Sequence, residues 1–190
     1  RRRHTRCLSD WSSDVCSSDL SPAWNVAQCD VGQGDALLIN LGAGEGLLFD
    51  TGPDPRSLDR CLHRFRISSL PLVVLTHMHA DHYGGISALS RYRVGEIWTN
   101  SEPSATNLQS EFERAPHRVV RAGERREIKG ASLQVLWPTE STNQFSTLPG
   151  DGSTENNKSI VTLIDFKGTS DRKSTRLNSS HLGISYAVFC

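Results

Sequence analysis

The chain has 190 residues, of which 36% are hydrophobic and 22% charged, and its 21 Lys and Arg are balanced by 21 Asp and Glu. That length gives room for one domain with a real core. A formal net charge of zero carries no electrostatic footprint of a polybasic nucleic-acid binder, and no apolar run approaches the ~20 residues of a membrane span.

The first twenty residues, RRRHTRCLSDWSSDVCSSDL, open with arginines but lack the apolar stretch of roughly 7–15 residues that marks a secretory signal. Together with DRKSTRLNSSH and ISYAVFC at the other end, they resemble translated sequencing-adapter DNA. Asp171-Arg172-Lys173-Ser174 can be encoded by GATCGGAAGAGC, whose reverse complement, read in another frame, encodes Ser17-Ser18-Asp19-Leu20. A pair of polar disordered termini is the alternative reading. Residues 1–20 and 171–190 are therefore expected to be adapter-like tails flanking a partial domain at 21–170.

The tails hold seven of the 21 Lys and Arg and four of the 21 Asp and Glu, so the remainder has 14 basic and 17 acidic residues and a net charge of −3. Only Cys29 and Cys61 remain outside the tails. They are far apart and outside any C-x-x-C pattern, which predicts neither a zinc ribbon nor a disulfide framework and leaves the redox compartment open.

In chain order, WNVAQCDVG from Trp24 alternates as a strand, DALLINL from Asp35 follows a glycine turn, and LLFD from Leu47 forms a third strand after the turn Gly42 to Gly46. Leu58, Cys61, Leu62 and Phe65 fall at i, i+3, i+4 and i+7 and predict a helix between Arg56 and Phe65. SLPLVVLTH from Ser69 reads as a buried strand covered on both faces. Next come a short helix at GGISALSRY, a strand at VGEIWT, a helix at SATNLQSEFERA with Ser104 or Thr106 as N-cap, and strands at HRVVRAG and SLQVLWP. The polar stretch from Pro138 to Asn157 reads as a long surface loop, and KSIVTLIDF as a closing strand. This order predicts an α/β (α+β) class, with a mixed sheet covered by helices.

The chemistry concentrates in VVLTHMHADHYGG, Val73 to Gly85. If the chain stays extended after the strand, His77 and His79 point to one side and Met78 to the other. Asp81 and His82 follow, and Gly84 and Gly85 permit a sharp turn, so four ligand-type side chains can converge. Neutral imidazole and carboxylate suit zinc and related divalent ions. Isolated histidines such as His63 and His117 read as ordinary side chains.

THMHADHYGG resembles the H-x-H-x-D-H signature of the metallo-beta-lactamase fold. DVGQGDALLI from Asp30, LLFDTGP from Leu47 and NNKSIV from Asn156 resemble, more narrowly, the hydrolase domain of ComEC-type DNA-uptake (competence) proteins. The resemblance implies an αββα sandwich with its metals at one edge. It implies His77 and His79 on a first divalent ion and Asp81 and His82 on a second, with zinc expected and manganese an alternative. Asp81 would also orient the attacking water, and is the implied catalytic residue. Asp50 would be a supporting carboxylate behind the histidine loop, or else a turn residue before Thr51 and Gly52. Asp30 and Asp35 would shape the mouth of the site or simply cap turns.

The Thr-Gly-Asp and His-His-Gly-Ser motifs that the family would place after SIVTLIDFKG are not in this sequence. The C-terminal part of the sandwich is therefore expected to be missing, and the chain as written to bind metal weakly and catalyse poorly. The implied activity is hydrolysis of DNA phosphodiester bonds by a metal-activated water, in a domain outside the cytoplasm attached to a membrane channel. A small-molecule ester, amide or cyclic-nucleotide hydrolase and a non-catalytic gating or binding module are the alternatives. Arg114, Arg118, Arg121, Arg125, Arg126 and Lys129 form either a DNA track or, because Glu113, Glu124 and Glu127 interrupt them, a solvated face.

Overall fold

The computed structural model describes residues 24–102, 115–140 and 156–166, together with the backbone of a strand at 183–186. The first sheet opens with β1 (Val26–Gln28), β2 (Leu37–Gly42) and β3 (Glu45–Phe49), all antiparallel. Ala43 and Gly44 both take positive φ, 52° and 75°, the twist that lets a two-residue hairpin loop follow its strands.

The predicted helix is α1 (Pro55–Arg64). Asp54 caps it by accepting from the backbone N–H groups of Arg56 and Ser57, and Pro55 occupies the first turn where no N–H is needed. Leu58, Cys61 and Leu62 are buried, as their spacing predicts. β4 (Ser69–Val74) then lies parallel to β3 and pairs on its other side with β5 (Arg93–Val94) and β6 (Ile97–Thr99), and β7 (His117–Val119) adds beyond β6. A parallel strand at this position has both faces covered, which is why its sequence is an unbroken apolar run. Leu70, Val73 and Leu75 face α1, while Leu72 and Val74 face the second sheet.

The second sheet is antiparallel: β8 (Arg125–Ile128), β9 (Ala131–Trp137), β10 (Val161–Phe166) and β11 (Gly183–Tyr186). Leu133, Val135, Ile160 and Ile164 pack against Ile39, Leu47, Phe49 and the fully buried Trp98 of the first sheet. The described residues thus build three layers of the expected sandwich: helices, sheet, sheet.

Several expectations need correction. The short helix expected at GGISALSRY is a 3-10 helix, Ile86–Arg91, and a single α-helical turn, α2 (Ala80–Tyr83), precedes it within the histidine segment. The strand predicted at HRVVRAG stops at Val119, because the chain turns at Gly123, where φ is +99°. β8 was not anticipated. Three of its four residues are charged and exposed, and it is held by pairing with β9 rather than by an alternating pattern. The helix at SATNLQSEFERA, apart from Ala115, and residues 141–155 of the loop lie outside the described residues. Gly183–Tyr186 lies in a tail set aside as adapter-like, yet it pairs with β10, whose open edge offers unpaired N–H and C=O groups.

The cysteines are the largest departure. Cys29 and Cys61 form a disulfide, their Cα atoms 5.7 Å apart across a sequence separation of 32. Folding of α1 onto the first sheet brings them together, a proximity that spacing along the chain does not reveal.

Candidate metal centre

β3 and β4 run parallel and end side by side, so the residues that follow each strand meet at one edge of the sheet. Asp50 leaves β3, and Thr76 and His77 leave β4. Asp50 is fully buried and holds a positive φ of 58°, a conformation that Asp tolerates better than most residues. Its backbone N–H donates to the Val74 carbonyl at 2.8 Å, which keeps the turn in register with β4.

The Asp50 carboxylate organises what lies around it. Oδ1 accepts the Thr76 backbone N–H at 2.7 Å, and Oδ2 accepts the Thr76 hydroxyl at 2.7 Å and His82 Nδ1 at 2.9 Å. The Thr76 oxygen, its own proton committed to Asp50, lies 3.2 Å from His77 Nδ1 and accepts from it. One buried carboxylate therefore sets the tautomer of two imidazoles, directly for His82 and through Thr76 for His77. In the neutral form of each ring this puts the proton on Nδ1 and the lone pair on Nε2.

The rings gather as the extended reading predicts. His79 is extended (φ −105°, ψ 147°), and its ring centroid lies 4.7 Å from that of His77, which lies 4.0 Å from that of His82. Met78 turns the other way and packs into the core on the helix side. His82 Nε2 is 3.6 Å from the Asp81 carboxylate, whose side chain is 46% exposed and forms the open side of the cluster. Gly84 and Gly85 do not supply left-handed turns. A Cβ on Gly84 would come within 2.5 Å of the Ala80 carbonyl, and one on Gly85 within 2.3 Å of the Thr51 carbonyl, so close approach is what requires them.

Burial and charge divide the imidazoles. Desolvation, with the neighbouring His82 and His79, lowers the pKa of His77 from 6.5 to about 4. Burial also opposes charge on His82, but the hydrogen bond and the charge of Asp50 outweigh it and raise its pKa. Asp50 is itself pushed up by desolvation, against the donors of His82 and Thr76 that favour its anion. His77 is thus a neutral donor at any pH near 7, the form a metal ion requires.

A depressed histidine pKa has a defined consequence. Between 6.5 and about 4 the unfolded chain binds a proton at residue 77 that the folded chain does not, so this group makes stability fall as pH falls through that window. Denaturant unfolding of metal-free protein at steps across the window should show the loss, and His77→Gln should reduce the slope.

Two further segments support the cluster. The Thr51 hydroxyl donates to the His82 carbonyl at 3.0 Å, and the Thr51 N–H donates to the same oxygen at 2.6 Å. The loop from Cys29 to Ala36 lies against the histidine loop: a Cβ on Gly34, where φ is +147°, would fall 2.2 Å from the Asp81 carbonyl oxygen and 2.9 Å from Pro53 Cδ. Gly34→Ala is therefore expected to displace Asp81 or its own loop and to lower stability by about 1–3 kcal/mol, read by chemical denaturation.

Of the expected residues, His77, His79, Asp81, His82 and Asp50 come together. Asp35 lies close enough for its charge to act on His82, and Gln28 donates to it at 3.5 Å. Asp30 is exposed at the outer side of its loop. Thr76, Thr51 and Gly34 were missed. A threonine at the end of an apolar strand reads as a core residue, and only the fold shows what its hydroxyl meets. His117 pairs with Glu102 at 3.3 Å on the surface.

The basic stretch is largely neutralised where it stands. Arg118 pairs with Glu124 at 2.6 Å and Glu96 at 3.6 Å, Arg126 with Glu96 at 3.6 Å, and Lys129 with Glu45, while Arg121 donates to the Asn100 and Val120 carbonyls. This favours a solvated face over a DNA track. Among the described residues no helix is long and apolar enough to cross a membrane.

The sequence profile of the metallo-beta-lactamase superfamily matches residues 29–168, and the chain belongs to that superfamily, whose members are generally hydrolases and usually bind metal ions. A search of curated proteins finds no match. Among solved structures the chain is similar to MEM-A1, a subclass B3 metallo-beta-lactamase from a soil metagenome library, at 15% identity and a TM-score of 0.56, covering 88% of this chain and 61% of that one. It is similar to the metallo-beta-lactamase SMB-1 bound to 2-mercaptoethanesulfonate at 16% identity and a TM-score of 0.51, covering 76% and 57%. A HARLDQ-motif mutant of a Cronobacter sakazakii metallo-beta-lactamase matches at 13% identity and a TM-score of 0.50, covering 77% and 58%. The chain spans less than two thirds of the length of each of these, and at such identities the likeness is one of fold.

The side chains present fit a divalent cation in donor chemistry, with the neutral imidazole of His77, two further imidazoles beside it and an adjacent carboxylate. They do not form a closed set, since among the described residues no three His, Cys, Asp or Glu side chains are grouped tightly enough to hold an ion as they stand.

Proposed function

We propose that residues 21–170 are part of a metal-dependent hydrolase domain that cleaves phosphodiester bonds in DNA, with His77 and His79 holding one divalent ion and Asp81 and His82 a second. Zinc suits these donors, and manganese is the alternative. The observation that carries the reading is the Asp50 network, which holds His82 directly and His77 through Thr76, each by its Nδ1, and so gathers both rings into one cluster. Two such ions, if bound, would supply Lewis acidity that lowers the pKa of a bound water and offsets charge on the attacked phosphate and the leaving oxygen. The chain's own residues do the positioning. Asp50 and Thr76 fix the rings, and Asp81, half open to solvent, would hold the attacking water by a hydrogen bond.

The DNA-uptake assignment rests on DVGQGD, LLFDTGP and NNKSIV, and it carries with it a parent membrane channel and a position outside the cytoplasm. The tails, read as adapter, would replace natural sequence that supplies the remaining ligands. A second reading, a small-molecule ester, amide or cyclic-nucleotide hydrolase, is favoured by the ion pairs that neutralise the arginine stretch.

The test is to resequence the reading frame across both junctions and assay its product, loaded with zinc or manganese, against single-stranded DNA, a bis-aryl phosphodiester, aryl esters and a beta-lactam. Metal-dependent DNA cleavage above all other substrates is expected. Preferential cleavage of an ester or lactam would establish the second reading, and tails that persist in genomic DNA would remove the adapter assignment.

A further inference from the structure

The loop Asp30 to Asp35 is poorly equipped to hold its own shape. It follows β1, an edge strand of only three residues, and contains Gly32 and Gly34, both at positive φ, with the conformational freedom that glycine brings. Yet it makes the contacts that brace the histidine loop. Gly34 sits against the Asp81 carbonyl, Val31 fills the space beside Gly52, and the Asp35 carbonyl accepts the Gly52 N–H at 2.9 Å. Gly52 in turn accepts the Gly85 N–H at 2.7 Å. At the base of this loop the Cys29 N–H donates to the Ala36 carbonyl, and Cys29 is bonded to Cys61 on the buried face of α1. Both sulfur residues are buried, at 4% and 8% exposure.

We propose that the Cys29–Cys61 disulfide is a positioning clamp, tying the Asp30–Asp35 loop to α1 so that this loop stays braced against the Asp50 and His77–His82 segments in the oxidised chain, and that the domain is built for an oxidising compartment. It deepens the metal-hydrolase reading and rests on it for the purpose of the clamped site. Forming the bond removes two electrons and two protons from the two thiols, taken up by a disulfide donor such as a thiol oxidoreductase or oxidised glutathione. Burial of both residues makes the bond a permanent part of the folded domain rather than a surface switch.

The experiment compares the oxidised 190-residue chain with its Cys29→Ala/Cys61→Ala variant, Cys7, Cys16 and Cys190 being alkylated in both. Hydrogen exchange read by mass spectrometry is expected to speed up about tenfold or more at the amides of residues 29, 52 and 85 in the variant, with β4 and β9 unchanged. A cobalt(II) titration, followed by its ligand-field spectrum, is expected to show about tenfold weaker binding in the variant. Unchanged exchange at those amides overturns the clamp, as does equal loss of protection in β4 and β9, which would make the bond a general staple. Peptide mapping that finds Cys29 and Cys61 as free thiols after expression in an oxidising compartment also overturns it. If the oxidised chain takes up no cobalt, the metal reading fails, and the exchange pattern still decides the clamp.

Discussion

Asp50→Ala should cost about 3–5 kcal/mol of stability and weaken zinc binding about 10–100-fold. The carboxylate is fully buried and accepts the Thr76 N–H, the Thr76 hydroxyl and His82 Nδ1. Its removal leaves three buried donors without an acceptor, and each uncompensated group costs about 1–3 kcal/mol. The two effects can be separated with Asp50→Asn. That side chain keeps the shape and can still accept from the Thr76 N–H, but its amide N–H₂ then faces the Thr76 oxygen and His82 Nδ1. His82 must move its proton to Nε2, which removes the lone pair a metal needs. The expected result is a smaller stability loss than in the alanine variant, by denaturant unfolding, together with an equally large loss of zinc affinity in competition with a chromophoric chelator. Parent-like affinity in Asp50→Asn would show that the network does not serve metal binding.

The double variant His77→Ala/His79→Ala should lose about a hundredfold or more in zinc affinity, since removing ligands exceeds removing their supports. It also removes the group whose pKa is held near 4. The loss of stability between pH 6.5 and about 4 should therefore shrink, although the metal-free variant has no ion to lose. A histidine cluster that served only packing would keep its zinc titration unchanged on substitution. The two readouts, affinity and acid slope, belong to the same side chain by different physics, and both are expected to move.

What could be read from the residues was whatever depends on near neighbours in sequence. The strands that alternate and the spacing of Leu58, Cys61 and Leu62 on α1 are local patterns, and the structure places them as their periods imply; the run from His77 to His82 is local too, and its three rings lie side by side. What could not be read depends on where distant segments meet. Thr76 looks apolar-adjacent and unremarked until Asp50, 26 positions earlier, arrives beside it. Cys29 and Cys61 are 32 positions apart, and no spacing rule brings them together. β8 is a strand because β9 offers it hydrogen bonds, not because RREI alternates. Asp30 and Asp35 were equal candidates by composition. The loop turns one toward the cluster and the other to solvent.

The most direct test is diffraction from crystals of the chain soaked in zinc, with anomalous differences measured at the zinc edge. A peak about 2.0–2.2 Å from imidazole nitrogens of His77 and His79, or from Asp81 and His82, is the predicted result. Zinc bound only elsewhere on the molecule, with the three imidazoles apart and Asp50 still holding Thr76 and His82, would contradict it.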